Sequence, residues 1–279
     1  MFKQQINCKG RLISLDSPLI MGILNVTPDS FFDGGQYIDE KSWLTQTEKM
    51  LAEGADIIDV GCVSTRPGAS LPDEDNELSR LIPVLESLLK KFPDIIISVD
   101  TFRSKVTVEA INTGAAIIND VSGGNLDAEL YNTIAKLNVP YILMHMQGTP
   151  ENMQKKPFYN NVTKDIIKFF SEKTEYLHKL GINDIIIDPG FGFGKTLNDN
   201  FQLMQNLHLF KFIQHPLIVG ISRKSMIWKF LNITPSEALN GTSVLNTLAL
   251  LKNANILRVH DVKEAKECLR IVNYFESTL

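Results

Sequence analysis

The chain has 279 residues, and 28 Lys and Arg against 32 Asp and Glu give it a net charge of −4. Apolar residues make up 44% and charged residues 22%, which is typical of a folded globular protein and excludes a disordered, collagen-like or low-complexity chain. The mildly acidic balance and the 8% of aromatic residues argue against a dedicated nucleic-acid binder or a basic membrane anchor.

The cysteines and the N-terminus point to the cellular compartment. Cys8, Cys62 and Cys268 lie far apart without a CxxC pair, so they indicate neither a disulfide framework nor a cysteine-rich zinc site. Cys268 lies on an apolar helical stripe and is expected in the core. The first residues contain no apolar signal-peptide core, and no run of about 18 apolar residues predicts a membrane helix. We therefore expect a reduced, cytoplasmic protein.

Eight short apolar runs rich in β-branched residues follow one another along the chain. Continuous runs of this kind are typical of strands that are buried on both faces of a parallel sheet. The residues before the first run are expected to form a cap, as a small hairpin. In chain order the runs are Leu19–Asn25, Asp56–Gly61, Ile95–Asp100, Ile117–Val121, Tyr141–Met146, Asp184–Asp188, Leu217–Ser222 and Ile256–His260.

Amphipathic helical stripes separate these runs. The stripe from Leu78 to Leu89 contains Pro83, so we expect that helix to start or to kink there. Alternating β and α units without a Ser/Gly linker favour one α/β domain over residues 1–279, a (β/α)8 TIM barrel with a short N-terminal extension. An open doubly wound sheet is the alternative, which an eighth strand in regular alternation disfavours.

Polar residues follow almost every predicted strand. The loops after the strands form the active face of a parallel barrel, and burying charges there is costly unless they pair or meet a ligand. Alternatively, Asp100 and Asp188 cap the following helices, and His145 is an ordinary hydrogen-bonding residue. Asp59 and Asp120 are taken as structural. The polar residues at this rim are Asn25, Ser64–Gly68, Asp100, Asn119, His145, Asp188, Ser222–Lys224, Arg258 and His260.

Two chemistries are expected at this rim. Cationic groups there match phosphate oxygens, and a short helix predicted at Lys224–Phe230 would add its N-terminal amides. These cations are Arg66, Lys224, Arg258 and His260. Carboxylates and an amide suit a flat heterocycle with an amino-pyrimidine edge, and this second set is Asp100, Asn119 and Asp188.

The glycine-rich segment Gly190–Thr196 fits neither a Walker A motif nor the GxGxxG spacing. We expect it to be a loop that places Phe193 near the site. The sequence contains no HExxH, no GxSxG and no cluster of His and Cys ligands, which argues against zinc and serine hydrolases.

Taken together, these motifs resemble those of the dihydropteroate synthases, the folate-biosynthesis family that sulfonamides target. The resemblance covers most of the chain in family order, and it departs from the common Gly-Gly-Glu pattern at Gly61-Cys62-Val63. The matching segments are MGILNVTPDSFFDGG (21–35), DIIDVGCVSTRPGA (56–69), ISVDTFR (97–103), IINDVSGG (117–124), LMHMQGTPENMQ (143–154), IIIDPGFGFGKT (185–196), VGISRKS (219–225) and ILRVHDV (256–262).

The resemblance implies a transferase that joins 6-hydroxymethyl-7,8-dihydropterin diphosphate to p-aminobenzoate and releases diphosphate by dissociative substitution. It implies a homodimer and Mg²⁺ as the cofactor, with Asn25 as the metal contact and Lys224, Arg258, Asp33 and Arg66 as catalytic residues. The implied substrate-binding residues are Asn25, Thr65, Arg66, Pro67, Asp100, Asn119, Met144, Asp188, Phe193, Gly220, Ser222, Lys224, Arg258 and His260.

Three other functions compete with this hypothesis. A pterin-binding methyltransferase acting on methyltetrahydrofolate would share Asp100, Asn119 and Asp188, but it has no use for Ser64–Gly68 or for Arg258 with His260. A non-catalytic homologue should have lost some of the rim residues, and all of them are present. A sugar-phosphate aldolase would need a Schiff-base lysine, for which Lys224 is the candidate.

Overall fold

The computed structural model describes residues 5–26, 40–63, 73–149, 153 and 157–278. Within these ranges strands and helices alternate after an N-terminal hairpin. The strands are β1 (Gln5–Cys8), β2 (Arg11–Ser14), β3 (Leu19–Asn25), β4 (Ile57–Gly61), β5 (Ile97–Asp100), β6 (Ile117–Asp120), β7 (Tyr141–Met144), β8 (Ile185–Asp188), β9 (Ile218–Val219) and β10 (Ile256–Val259). The α-helices are α1 (Glu40–Ala52), α2 (Glu74–Lys91), α3 (Ser104–Thr113), α4 (Leu130–Leu137), α5 (Val162–Lys179), α6 (Leu197–Gln205), α7 (Ser225–Leu231), α8 (Leu239–Leu251) and α9 (Val262–Ser277).

The eight strands β3–β10 form a parallel barrel, as the sequence predicted. Parallel ladders run from β8 through β7, β6, β5 and β4 to β3, and β10 pairs with both β3 and β9. A bridge between Ile187 and Leu217 joins β8 to the residue before β9. β9 covers only two residues of the longer run that was predicted, because the chain leaves the ladder after Val219. The carboxyl ends of all eight strands therefore meet at one rim.

The N-terminal hairpin β1–β2 closes the opposite end of the barrel. Ile6, Cys8 and Leu15 are buried in one apolar cluster together with residues of the barrel strands, such as Ile117 and Ile186. The backbone amide of Asn7 donates to the Asp184 side chain at 3.1 Å, which ties the hairpin to the start of β8. The predicted cap is thus confirmed as a hairpin that excludes water from the barrel floor.

The helix that contains Pro83 begins well before it. Asp73 caps α2, because its side chain accepts the backbone N–H of Asn76 at 2.8 Å, and the helix then continues through Pro83 to Lys91. The expectation that the helix starts at Pro83 is therefore wrong. A favourable cap and the buried stripe of Leu81, Val84, Leu85 and Leu88 outweigh the one backbone hydrogen bond that proline removes.

Candidate active site

The strand register brings the predicted polar residues to the same level at the carboxyl rim. Asn25 on β3 is in register with Gly61 on β4, Gly61 with Asp100 on β5, and Asp100 with Asn119 on β6. A Cβ on Gly61 would lie 3.5 Å from the Asp100 Cβ and 3.7 Å from the Asn25 Oδ1. Glycine here leaves space between the two polar side chains.

Arg258 on β10 is the centre of a buried polar network that we call the arginine cluster, made of Arg258, Asp59, Asp100 and Asn119. Its Nε donates to Asp59 Oδ2 at 2.7 Å and its Nη2 donates to Asp100 Oδ2 at 3.1 Å. Asn119 Nδ2 also donates to Asp59 Oδ2, at 3.1 Å. Asp59 is fully buried, and its Oδ1 has no hydrogen-bond partner within the described ranges. The sequence had assigned Asp59 a structural role, whereas the fold places it inside the site.

Two carboxyl groups of the site, those of Asp100 and Asp188, have raised pKa values. Burial raises the pKa of Asp100 to about 7, with Arg258 lowering it and Asp59 raising it further. Burial also raises the pKa of Asp188 above its usual range, against the opposing effect of Lys224. Neither carboxylate caps a helix, since the N-caps of α3 and α6 are Arg103 and Thr196. Raised pKa values next to specific charges are typical of functional sites.

Lys224 lies where the glycine-rich loop after β8 faces the loop after β9. Its Nζ donates to the Phe191 carbonyl at 2.6 Å and lies 4.6 Å from the centre of the Phe193 ring. Burial lowers the pKa of Lys224 to about 8, and the nearby Asp188 opposes this shift. The loop thus places Phe193 beside the site, as expected from the sequence.

An apolar surface and two further polar residues complete the rim. Met144, in register with Asp188, is buried in a cluster with Val121, Met146 and Met153, and Phe193 packs against that cluster. Ser222 Oγ lies 3.2 Å from both the backbone N and the Nδ1 of His260. A Cβ on Gly220 would lie 3.7 Å from the Arg258 Cβ, so Gly220 flanks the arginine cluster.

Sequence reasoning missed Lys195, which lies behind the rim and is 4% exposed. Its Nζ contacts His145 Nδ1 at 3.1 Å and the Gly190 carbonyl at 2.8 Å. A lysine that ends a glycine-rich run after a buried strand was the available indication. For Asp59 the indication was a carboxylate in the middle of an otherwise apolar strand.

Four predicted site residues, Asp33, Thr65, Arg66 and Pro67, lie outside the described residues, and their roles stay predictions. Within the described ranges, no group of three or more His, Cys, Asp and Glu side chains is placed to hold a metal ion. None of the helices in the described part of the chain combines the length and the apolar character that a membrane span requires.

Comparison with known proteins assigns the family. The profile of the family described as pterin binding enzyme matches residues 21–260. The chain belongs to this family of pterin-binding enzymes. The match extends from β3 to the residue after β10 and therefore includes every strand of the barrel.

Relatives within the pterin-binding family are similar over nearly their whole length. The dihydropteroate synthase of Escherichia coli strain K12 is 43% identical over 277 residues, which covers 97% of this chain and 95% of that protein. The Yersinia pestis dihydropteroate synthase in complex with a sulfonamide drug has a TM-score of 0.92 at 42% identity, covering 98% of this chain and 100% of the other. The Xanthomonas albilineans enzyme with 4-aminobenzoic acid has a TM-score of 0.91 at 36% identity, with 99% of both chains covered.

Proposed function

We propose that this chain is a dihydropteroate synthase of folate biosynthesis. It condenses 6-hydroxymethyl-7,8-dihydropterin diphosphate with p-aminobenzoate to give 7,8-dihydropteroate and diphosphate. The observation that carries this proposal is the 43% identity to a dihydropteroate synthase over nearly the full length of both chains. The rim supports it, since every predicted site residue within the described ranges lies at the carboxyl ends of the barrel strands or in the loops that follow them.

The described side chains fit the two halves of the dihydropterin substrate. Asp100, Asn119 and Asp188 offer the carboxylate and amide groups that match the amino and ring N–H groups of a pterin. Met144 and its apolar neighbours provide a surface for the ring faces. Lys224 contacts the Phe191 carbonyl, lies 4.6 Å from the centre of the Phe193 ring and interacts electrostatically with Asp188, so we assign it to both the pterin and the site of attack.

Dissociative substitution needs no nucleophilic side chain, because the aniline nitrogen of p-aminobenzoate is itself the nucleophile. The C–O bond to the diphosphate breaks first, which leaves a pterin methylene cation stabilised by resonance. Nitrogen then attacks that carbon and releases a proton. We assign Arg258, His260 and Asn25 to the leaving diphosphate, where charge develops in the transition state. Ser222 and Phe193 are assigned to the p-aminobenzoate pocket, together with the predicted Thr65, Arg66 and Pro67.

Mg²⁺ fits the donor chemistry at Asn25. Asn25 is the last residue of β3 and is exposed there, so its side chain is at the carboxyl rim. Mg²⁺ is commonly bound through one or two carboxylates together with substrate phosphates and waters, so the Asn25 amide oxygen would supply one ligand and the diphosphate and waters the others. When bound, the ion would neutralise charge on the diphosphate. We expect Asn25→Ala to raise the Mg²⁺ concentration that gives half-maximal turnover, measured by titration of the purified enzyme.

A test of the function measures diphosphate release by the purified protein with the dihydropterin diphosphate, Mg²⁺ and p-aminobenzoate, each omitted in turn. Release that requires all three, with an equal amount of dihydropteroate formed, is the expected result. Pterin binding without release would contradict it and favour the pterin-binding methyltransferase, for which methyl transfer from methyltetrahydrofolate is the next assay.

Lys224→Ala should reduce turnover by orders of magnitude, and near-normal turnover would contradict the role of Lys224.

We also propose that the protein is a homodimer. The helices α8 and α9 expose a group of large apolar side chains: Val244, Leu248, Leu251, Ile271, Tyr274 and Phe275. Exposed apolar patches of this kind are typical of protein interfaces. Sedimentation analysis should give a dimer for the wild type and a monomer for Ile271→Glu, and a monomeric wild type would contradict the proposal.

The three free, buried cysteines favour the reducing cytoplasm as the site of action.

A further inference from the structure

Lys195 is a buried amino group that the reaction proposed above does not use. Its Nζ lies 2.8 Å from the Gly190 carbonyl oxygen, 3.0 Å from that of Phe193 and 3.3 Å from that of His145. It also lies 3.1 Å from His145 Nδ1. Because the three carbonyl oxygens are acceptors, Nζ is the donor at the centre of this group. We call Lys195, His145 and the carbonyls of Gly190 and Phe193 the loop hub.

The loop after β8 depends on side-chain donors because it forms neither helix nor strand from Pro189 to Gly194. Gly190 and Gly194 have positive φ, and a Cβ on them would come within 2.1 Å of the His145 carbonyl oxygen and 2.4 Å of that of Gln147. The loop is therefore packed directly against the segment that follows β7. Buried carbonyl groups in such a loop need partners. The Gly190 carbonyl accepts the Phe193 backbone N–H at 3.1 Å as well as Lys195 Nζ, and the Phe193 carbonyl accepts Lys195 Nζ.

The same loop carries the groups that face Lys224. The Phe191 carbonyl, between the two carbonyls that Lys195 binds, accepts from Lys224 Nζ, and the Phe193 ring lies 4.6 Å from that atom. Lys195 and Lys224 therefore bind carbonyl groups of the same four-residue stretch of the loop, Lys195 at Gly190 and Phe193 and Lys224 at Phe191.

We propose that Lys195 is a positioning residue for the aromatic amine. By holding the loop hub together, it fixes the conformation in which Phe193 and the Phe191 carbonyl meet Lys224. This role rests on the proposed function, since p-aminobenzoate is the amine assigned to the Phe193 side of the site. Asp100 lies on β5 and makes no hydrogen bond to the hub among the described residues. Asp188 Oδ1 accepts the Gly190 backbone N–H at 2.8 Å, but the ladder between β8 and β7 holds its strand. We therefore expect the pterin side of the site to change less than the amine side.

Lys195→Met keeps the length of the side chain and removes its N–H donors. The KM for p-aminobenzoate should rise about tenfold or more, while the KM for the dihydropterin diphosphate should change less than about threefold. Hydrogen exchange of the amides from Gly190 to Gly194 should become faster. The matched control is Lys252→Met, since Lys252 donates to the Gln205 carbonyl at 2.9 Å away from the rim, and both KM values should stay unchanged.

Two substitutions of His145 test the hub without removing the lysine. In His145→Asn and His145→Leu the new side chains have nearly the same shape, but only the Asn amide oxygen can take the place of His145 Nδ1 as an acceptor. His145→Leu should therefore raise the KM for p-aminobenzoate about threefold, whereas His145→Asn should stay close to the wild type.

Three outcomes would overturn the role of Lys195. These are equal increases of both KM values in Lys195→Met, an unchanged KM for the amine, and equal behaviour of the two His145 variants. If the wild type does not turn over, the proposed function fails by itself. Unchanged hydrogen exchange of the loop in Lys195→Met would then still refute the hub, because that measurement needs no activity.

Discussion

Asp59→Asn is the sharpest test of the arginine cluster because the amide can keep its geometry. Arg258 Nε and Asn119 Nδ2 both donate to Asp59 Oδ2, and no described residue contacts Oδ1 with a hydrogen bond. In Asp59→Asn the amide oxygen can therefore take the place of Oδ2 and the NH₂ group that of Oδ1. The variant therefore removes charge more than contacts. Hydrogen bonds to charged groups contribute about 1.5–3 kcal/mol to stability and neutral ones about 0.5–1.5 kcal/mol. We therefore expect Asp59→Asn to lower the free energy of unfolding by about 1–2 kcal/mol.

The apolar variant Asp59→Leu removes the contacts as well. Taking away one partner of a buried ion pair costs about 3–5 kcal/mol, and the Arg258 side chain is only 20% exposed. Asp100 remains as a second partner of Arg258, so the loss should lie toward the lower end of that range. Thermal denaturation should show Asp59→Leu melting roughly 10 °C below the wild type, at about 2–4 °C per kcal/mol for a chain of this size.

Removing the charge of Asp59 should also shift the pKa of Asp100 in a known direction, and the pH profile of activity can detect that shift. Asp59 raises the pKa of Asp100, so Asp59→Asn should lower the pKa of Asp100 from its value of about 7. The acid limb in the pH profile of kcat/KM for the dihydropterin diphosphate should then move to lower pH. An exposed control, Glu175→Gln, should change neither melting nor the profile, since Glu175 lies on the surface of α5, where it pairs with Lys179. An unmoved or upward-shifted limb in Asp59→Asn would refute the reasoning.

Two further predictions concern the segments behind the rim. Burial lowers the pKa of His145 from 6.5 to about 2, so below pH 6.5 the unfolded chain binds a proton that the native protein does not. The free energy of unfolding should therefore fall by about 1 kcal/mol between pH 6.5 and pH 5.5 because of this residue. Urea denaturation at pH 6.5 and pH 5.5 should therefore show a smaller loss for His145→Asn than for the wild type, and equal losses would contradict a neutral buried His145. Gly190→Ala should cost about 2–4 kcal/mol, because the backbone has positive φ and the Cβ meets a carbonyl oxygen at 2.1 Å. At Gly181 the φ is also positive, but an added Cβ would meet no atom of the described residues within 4 Å, so Gly181→Ala should cost only about 1–2 kcal/mol. Equal melting of the two variants would contradict the clash at Gly190.

Local pattern was sufficient for the elements of the barrel. Each strand is an apolar run that ends near a polar residue, and both features are visible within a window of a few residues. The short β9 is the exception, because the run Leu217–Ser222 has the composition of a strand while only Ile218 and Val219 join a ladder. The prediction at Pro83 failed for a related reason. Proline has a low helix propensity, but the burial of the apolar stripe of α2 outweighs that local preference.

Most of the candidate site was also predictable, because parallel strands carry their last residues to one rim. The partners within the site were not predictable. Asp59 looked structural in a window of the sequence, and its partner Arg258 lies 199 residues away. Lys195 looked like the end of a loop, and its partner His145 lies 50 residues earlier.

The amino-acid sequence by itself determined the order of strands and helices, the family resemblance and the residues at the active rim, because each of these is recorded in local periodicity and motif. Only the tertiary structure decided which charges are buried and which groups pair. Pairing and burial depend on how the strands are arranged in the barrel. This arrangement brings β10 close enough to β4 and β5 for Arg258 to bind both Asp59 and Asp100. The pKa values of Asp100, His145 and Lys224 follow from that burial.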